Sequence, residues 1–477
     1  MRWLVFVFVA GSGIGCLREP LGDAPASAGG ESSSAESSSA ESSMLAMTSG
    51  GATGSAATSE ATTTASTSPT TGDAGPLGVC GDAVIGDDEW CDDGNNAPDD
   101  GCGPVCEPAG QLSWTRVFGG PALQYDTWAC AAIAPDGRII LVGSTGTDVI
   151  SSDILLTAFT PSGELIWQKP IAGDPNNLSG LGQVVIGSDG TIFAVGSRGT
   201  PSFSVFGVAL AFSPDGEPLW AFEQPFVPDR SSWIWAVDIQ DDVLVTAGSD
   251  RKDIADDTFD QFIIVRRHDP ATGEVLWQQT PESTPPQAMP GGVAISGERI
   301  LMAGTSWTTL DQGRFLVAYD HFGAQLWSEE APATSITGWE AVARIGDGDF
   351  VLNGVEPGEG NDFRLVLRRV GPAGEIRWTW ESELGLDILG SGVAVGPGEA
   401  IVATGSSFSG PQWHANTFRF TGDGALVWTS DDEGSHGLGA QAGGVAIGAG
   451  MIAVAGLEYL EDVWDLDARV RVFAFDD

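Results

Sequence analysis

The sequence predicts an all-β chain: a seven-bladed β-propeller of four-stranded blades, closed by N- and C-terminal strands and preceded by a disordered tether and a small disulfide-rich module. Three observations predict it. A turn-strand-tryptophan phrase recurs as TPSGELIW, SPDGEPLW, DPATGEVLW, HFGAQLW, GPAGEIRW and TGDGALVW. These end at Trp167, Trp220, Trp277, Trp327, Trp378 and Trp428, at intervals of 53, 57, 50, 51 and 50 residues. A second phrase, typified by IAPDGRIILVGS and VAVGPGEAIVATGS, occurs seven times. The missing seventh tryptophan phrase is supplied from the front, where QLSW ends at Trp114, while VRVFAFDD at the other end is the strand that normally leads into that turn. A period near fifty with several short strands per unit marks a propeller or an array. Closure of one blade by strands a to c from the C-terminus and strand d from Leu112 to Val117 removes the exposed edges that a linear solenoid would have to cap.

The elements follow in chain order. Residues 1–15 read as a secretory signal, with one cation at Arg2, an apolar run from Trp3 to Ala10 and small residues before Cys16. The approach to Cys16 resembles the lipobox of bacterial lipoproteins, with Gly13 where that family usually has leucine. The resemblance implies a lipidated Cys16, an outer-membrane location facing the cell surface or the periplasm, and a lipid as the only membrane anchor. The alternative is an ordinary cleaved signal with an incidental cysteine. No later apolar run approaches the roughly 20 residues that cross a bilayer.

Residues 16–79 continue as a Ser/Thr/Ala/Gly/Glu-rich linker with too little apolar surface to offset the entropy of ordering. A flexible chain of this length has an r.m.s. span of roughly 45 Å.

Residues 80–108 hold Cys80, Cys91, Cys102 and Cys106. In an exported chain this density reads as two disulfides, in any of three pairings, because so short a segment cannot build an adequate core. Zinc is the competing reading. The oxygen donors Asp92, Asp93, Asn95, Asn96, Asp99 and Asp100 alternate with glycine, which suits a calcium loop and equally suits a cluster of Asx turns. Calcium is the one cofactor expected. The run from Cys80-Gly81 through Cys91-Asp92-Asp93-Gly94-Asn95 to Asp100-Gly101-Cys102 and Cys106 resembles the Myxococcus-type cysteine-rich repeat, whose members are mostly secreted or surface proteins.

The propeller occupies residues 109–477, and its phrase RHDPATGEVLW is similar to the quinoprotein-like (PQQ-like) propeller repeat. That resemblance implies a fold more than an activity. Quinone-dependent dehydrogenases of this kind usually have eight blades and an adjacent cysteine pair, and this chain has neither, so a quinone is not expected. Other members of that family are outer-membrane lipoproteins that act as assembly scaffolds, which the expected anchor fits.

Composition narrows the partners. With 21 Lys+Arg against 65 Asp+Glu and a net charge of −44, the chain repels a phosphate backbone. The only lysines, Lys169 and Lys252, sit outside any phosphate-cradling loop. The a–b and c–d turns are short, so one face of the disc is trimmed and the other carries the long b–c and d–a connections. Trp128, Trp233, Trp235, Trp307, Trp339, Trp413 and Trp464 fall near those connections, with Asp250, Asp253, Asp256, Asp257 and Asp260 in blade 3 and Glu458, Glu461, Asp462, Asp465 and Asp467 in blade 7.

Aromatic platforms beside carboxylates suit a glycan or a cationic peptide; the bland alternative is that the tryptophans plug loop bases. There is no HExxH and no GxSxG, and His268 and His321 fall at equivalent turns that repetition places in solvent. Cys130, in WACAAI, reads as a buried apolar residue. The functional expectation is a monomeric, non-catalytic surface binding module for a glycan or an envelope protein. A hydrolase or lyase using carboxylates of the long-loop face, and an outer-membrane assembly scaffold, are the alternatives.

Overall fold

The computed structural model describes residues 110–475, apart from connections at 121–124, 149–150, 174–176, 201–204, 226, 228–229, 256–257, 282–286, 308–311, 336, 347, 359–362, 383–387, 410–411 and 461–465. The expected signal, Cys16, the linker, the four module cysteines and the six oxygen donors between Asp92 and Asp100 lie outside the described residues.

Seven four-stranded antiparallel sheets follow one another around a ring. Blade 1 is typical, with strand a at Thr127–Ile133, b at Ile139–Asp148, c at Ser151–Phe159 and d at Leu165–Ile171. Strands b and c are covered on both faces by neighbouring blades, so they read as continuous apolar runs: Ile139, Ile140, Leu141 and Val142 are all buried. Strand d lies on the rim, and its burial alternates in blades 2, 3 and 5. The turns are made by residues suited to them. Gly137 takes a φ of +83° and donates its N–H to Ala134 O, while Asp136 accepts the Arg138 N–H.

Blade 7 closes as the complementary ends predict. Its strands a to c are Ala440–Gly448, Met451–Tyr459 and Leu466–Ala474, and strand d is Leu112–Phe118, one residue longer than expected. The two pair antiparallel from Leu112 opposite Phe473 to Phe118 opposite Ala468, and Ala474 N–H donates to Gln111 O at 3.0 Å.

The repeated phrase joins blades rather than stabilising each from within. The tryptophan of one strand d lies against the turn glycine of the next blade. A Cβ on Gly163 would sit 2.8 Å from Trp114, one on Gly273 2.5 Å from Trp220, and one on Gly424 2.8 Å from Trp378. The indole N–H groups of Trp114, Trp220, Trp277, Trp327 and Trp378 donate to carbonyls of the same neighbouring turns, at 2.8–3.3 Å. Trp428 completes the circle on Gly110, which has the positive φ of a turn glycine although the turn it belongs to is divided between the two chain ends. The core therefore lies between blades. One cluster, for example, joins Val142 and Leu156 of blade 1 to Val184 and Ala194 of blade 2, with Trp167 packed on it.

Each innermost strand carries a register shift at the same point, from Trp128/Cys130 in blade 1 through Ile234/Ala236 in blade 3 to Ala442/Val445 in blade 7. Such bulges bend the strand and let the inner strands meet closely. A Cβ on Gly291 would fall 2.0 Å from Trp339 O of the next blade. Gly110 occupies a c–d turn position and so lies on the short-turn face. The long connections lie on the opposite face.

Candidate functional site

The structure sorts the expected site residues into two groups. Trp128 and Trp339 are each 1 % exposed and cannot stack on a ligand. Each stands just before the bulge of an inner strand and fills the space between blades. Trp128 packs against Phe118 and edge-on to Phe159, and Trp339 lies under the guanidinium groups of Arg314 and Arg368, 4.9 and 5.2 Å from its centroid.

His268 also departs from expectation, since it is fully buried rather than solvent-facing. Its Nδ1 lies 3.1 Å from Gly273 O and its Nε2 3.0 Å from Thr246 Oγ1, so the neutral ring is held with Nδ1 as donor and Nε2 as acceptor. Burial pushes its pKa down to about 4. His321 is half-buried and gives its backbone carbonyl to Trp277. Cys130 is buried, as expected.

Trp233 and Trp235 stack on each other in blade 3, 5.9 Å apart, and the Trp235 N–H donates to Ser249 Oγ. Asp250 pairs with Arg230 at 3.1 Å. Asp253 lies in strand b of blade 3 opposite Phe259, and Trp307 ends strand b of blade 4; their side chains are outside the described residues, as are Asp256, Asp257, Glu461, Asp462, Trp464 and Asp465. Asp467 lies at the closure seam beside Asp126, a buried carboxylate that accepts the N–H groups of Gly120 and Gly146. Burial raises the Asp126 pKa to about 6.

An exposed aromatic surface forms at one corner of the long-loop face, where blades 6 and 7 meet. Strands b and c of blade 6, Ile401–Ser409 and Gln412–Phe420, bring Phe408 and Trp413 opposite each other with their rings edge-to-face, 5.3 Å apart. Phe408 is 48 % exposed. Beside them runs the link from Glu433 to Gly439, which exposes His436 and Leu438. Gly439 has a φ of +120°, and a Cβ there would meet the backbone of Trp413 at 3.0 Å, so only glycine lets the link pass this close.

The link rests on a buried ion network. Glu458, 1 % exposed, accepts from Arg469 and from the Ser435 backbone N–H. Arg469 also grips Asp432 at 2.9 Å and the Ser435 hydroxyl at 2.6 Å. A buried charge is tolerated only when paired in this way, and the pairing holds the link in place. On the other side of blade 6, Asp431 accepts from His414 Nδ1 and from the Asn416 amide, both at 3.0 Å.

Sequence reading had selected Trp413 but missed Phe408, His436 and Leu438. Their signal is a pair of glycine-containing turn stretches, FSGPQW and GSHGLG. Two shallow clefts form among the described residues, one beside Arg314, Trp339 and Arg368 and one beside Gln224, Arg230 and Asp250. Among the described residues no group of three or more His, Cys, Asp or Glu side chains is placed to hold a metal ion.

Residues 261–349, which run from strand c of blade 3 into blade 5, match the family model described as outer membrane protein assembly factor BamB. The match supports the quinoprotein-like reading of the propeller. No curated protein matches the chain. The β-propeller domain of the Trilobed protease from Pyrococcus furiosus is similar over 74 % of this chain and 94 % of that one, at 9 % identity and a TM-score of 0.42. Quinohemoprotein alcohol dehydrogenase from Comamonas testosteroni is similar over 76 % of each chain, at 10 % identity and a TM-score of 0.39.

Proposed function

We propose that this chain is an exported, lipid-anchored envelope protein whose propeller is a non-catalytic binding module, with its ligand surface at the blade 6–7 corner of the long-loop face. One observation carries the reading. The exposed Phe408, with the half-buried Trp413 edge-on to it and the exposed Leu438 nearby, lies on the face opposite Gly110, the point at which the proposed tether would meet the ring. A tether entering from the short-turn side leaves the long-loop side free to meet a partner. Exposed aromatic side chains on a rigid sheet edge bind with little loss of conformational entropy.

The test is thermal melting of the full chain with glycan fragments and with peptides, for the wild type and for Phe408→Ala combined with Trp413→Ala. A ligand present at 100 times its Kd adds about 2.7 kcal/mol. The reading expects a shifted midpoint with the ligand recovered unchanged, and no shift in the double variant. A ligand that is consumed overturns the non-catalytic assignment. Cys16→Ser is expected to move the protein from the membrane fraction to the soluble one.

A second reading, a scaffold for envelope assembly, is favoured by the family match over residues 261–349. Co-purification with outer-membrane barrel proteins, retained in the Phe408→Ala and Trp413→Ala double variant, would favour it over the first.

A further inference from the structure

We infer that the occupant of the blade 6–7 corner is a cationic polypeptide segment carrying apolar side chains, an inference that rests on the binding role proposed above. Charge distribution carries it. Residues 388–475 contain no lysine and only three arginines. All three are turned inward: Arg419, Arg469 and Arg471 are 4, 8 and 7 % exposed. Arg469 is matched by Glu458 and Asp432, and Arg471 by Asp432. The charged groups shown to solvent here are therefore carboxylates, the exposed Glu433 in the link and, on the opposite face of blade 6, Asp431 at 57 % exposure, with His436 as the one exposed side chain among the described residues of this corner able to become positive.

Glu433 lies in the same link as the exposed Leu438, on the side of Phe408, while Asp431 projects from the opposite face of blade 6 toward His414 and Asn416. An anionic ligand is repelled by this arrangement and by a chain charge of −44. A neutral sugar would stack on the rings and leave the carboxylates without a matching charge. A segment bearing arginine or lysine between aliphatic residues uses both, with a cation on Glu433 and on the exposed Phe408 ring and aliphatic groups against Phe408 and Leu438. The surrounding negative field also speeds its arrival.

The test uses the full chain and three probes in fluorescence anisotropy: a labelled peptide of alternating arginine and leucine, its glutamate-leucine counterpart, and a labelled chito-oligosaccharide. The arginine peptide is expected to bind, and to weaken as salt is raised. Phe408→Ala with Trp413→Ala should weaken it about tenfold or more, as loss of an aromatic anchor does. Glu433→Gln, an exposed change that leaves the Glu458–Arg469 network intact, should weaken it several-fold and flatten the salt dependence.

Equal binding of the arginine peptide to the wild type and both variants would show only diffuse attraction to an acidic protein and would overturn the inference. Oligosaccharide binding that the aromatic variant abolishes, with no peptide binding, would also overturn it while leaving the binding role in place. Failure of every probe, together with a melt that no ligand shifts, would remove both.

Discussion

If the tryptophan-glycine contacts hold the ring together, a single methyl group placed inside one of them should destabilise the whole propeller more than the same methyl placed elsewhere. Gly273 and Gly297 allow the comparison. Both have positive φ, +75° and +58°, so alanine suffers the left-handed backbone cost of about 1–2 kcal/mol at each. Their surroundings differ. At Gly297 nothing lies within 4 Å of the added Cβ, whereas at Gly273 the Cβ lands 2.5 Å from Trp220 Cε3.

Trp220 must then move. The movement stretches its 2.9 Å hydrogen bond to Pro270 O and disturbs its packing on Phe193 and His268. Losing that hydrogen bond costs about 1 kcal/mol, and the forced repacking adds about 1 kcal/mol or more. Gly273→Ala should therefore cost roughly 2 kcal/mol more than Gly297→Ala. At about 2 °C per kcal/mol for a large domain, Gly297→Ala lowers the calorimetric midpoint by about 2–4 °C and Gly273→Ala by a further 4 °C or so. Equal midpoints for the two variants would refute the idea that the repeat phrase acts across blades.

Three further outcomes are expected. Arg469→Met leaves Glu458 buried and unpaired, which should cost about 3–5 kcal/mol in urea unfolding; a loss within error would show that the network does not support the Glu433–Gly439 link. Removing residues up to Phe118 strips strand d from blade 7, so hydrogen exchange should quicken at Leu466–Ala474, its pairing partner, while blade 3 strands keep their protection.

The pH dependence has two opposing parts. His268 stays neutral in the folded state down to about 4. Because its folded pKa lies below its unfolded one, the unfolded chain takes up the proton first, and the contribution of His268, complete above about 6.5, is lost as pH falls through this window. Asp126 and Asp238, both raised to about 6 by burial, work in the opposite sense: the folded state holds their protons longer, so stability falls as pH rises from about 4 to 6. An NMR titration that finds His268 titrating near 6.5 in the folded protein would contradict its assigned burial and tautomer.

The architecture could be read from sequence because each blade repeats the same solution to the same packing problem. The spacing of the tryptophans, the paired turn glycines and the complementarity of QLSW with VRVFAFDD all follow from closing a ring of equal sheets. The role of each tryptophan was harder to read. A glycine and a tryptophan only four residues apart within one phrase look like a local contact, yet they contact different neighbours on either side of the blade.

Trp128 and Trp339 were misplaced for a related reason. They sit at the start of an inner strand, beside a long connection in sequence but inside the ring in space, and only the bulge that follows shows which way they turn. His268 looked like a solvent-facing turn residue because its phrase repeats, but the residue ending strand c points inward beneath Trp220. The blade 6–7 corner was only partly legible: Trp413 was visible, whereas the exposure of Phe408 and the seating of the 433–439 link depend on Glu458 and Arg469, which come from another blade.

The account stands or falls on whether the long-loop corner is where a partner sits. Hydrogen-deuterium exchange of the full chain, with and without the arginine-leucine peptide, tests this most directly. The account predicts protection confined to residues 404–416 and 432–440, with the short-turn face unchanged. Protection on the short-turn face, or saturating binding that leaves this corner unaltered, would contradict it.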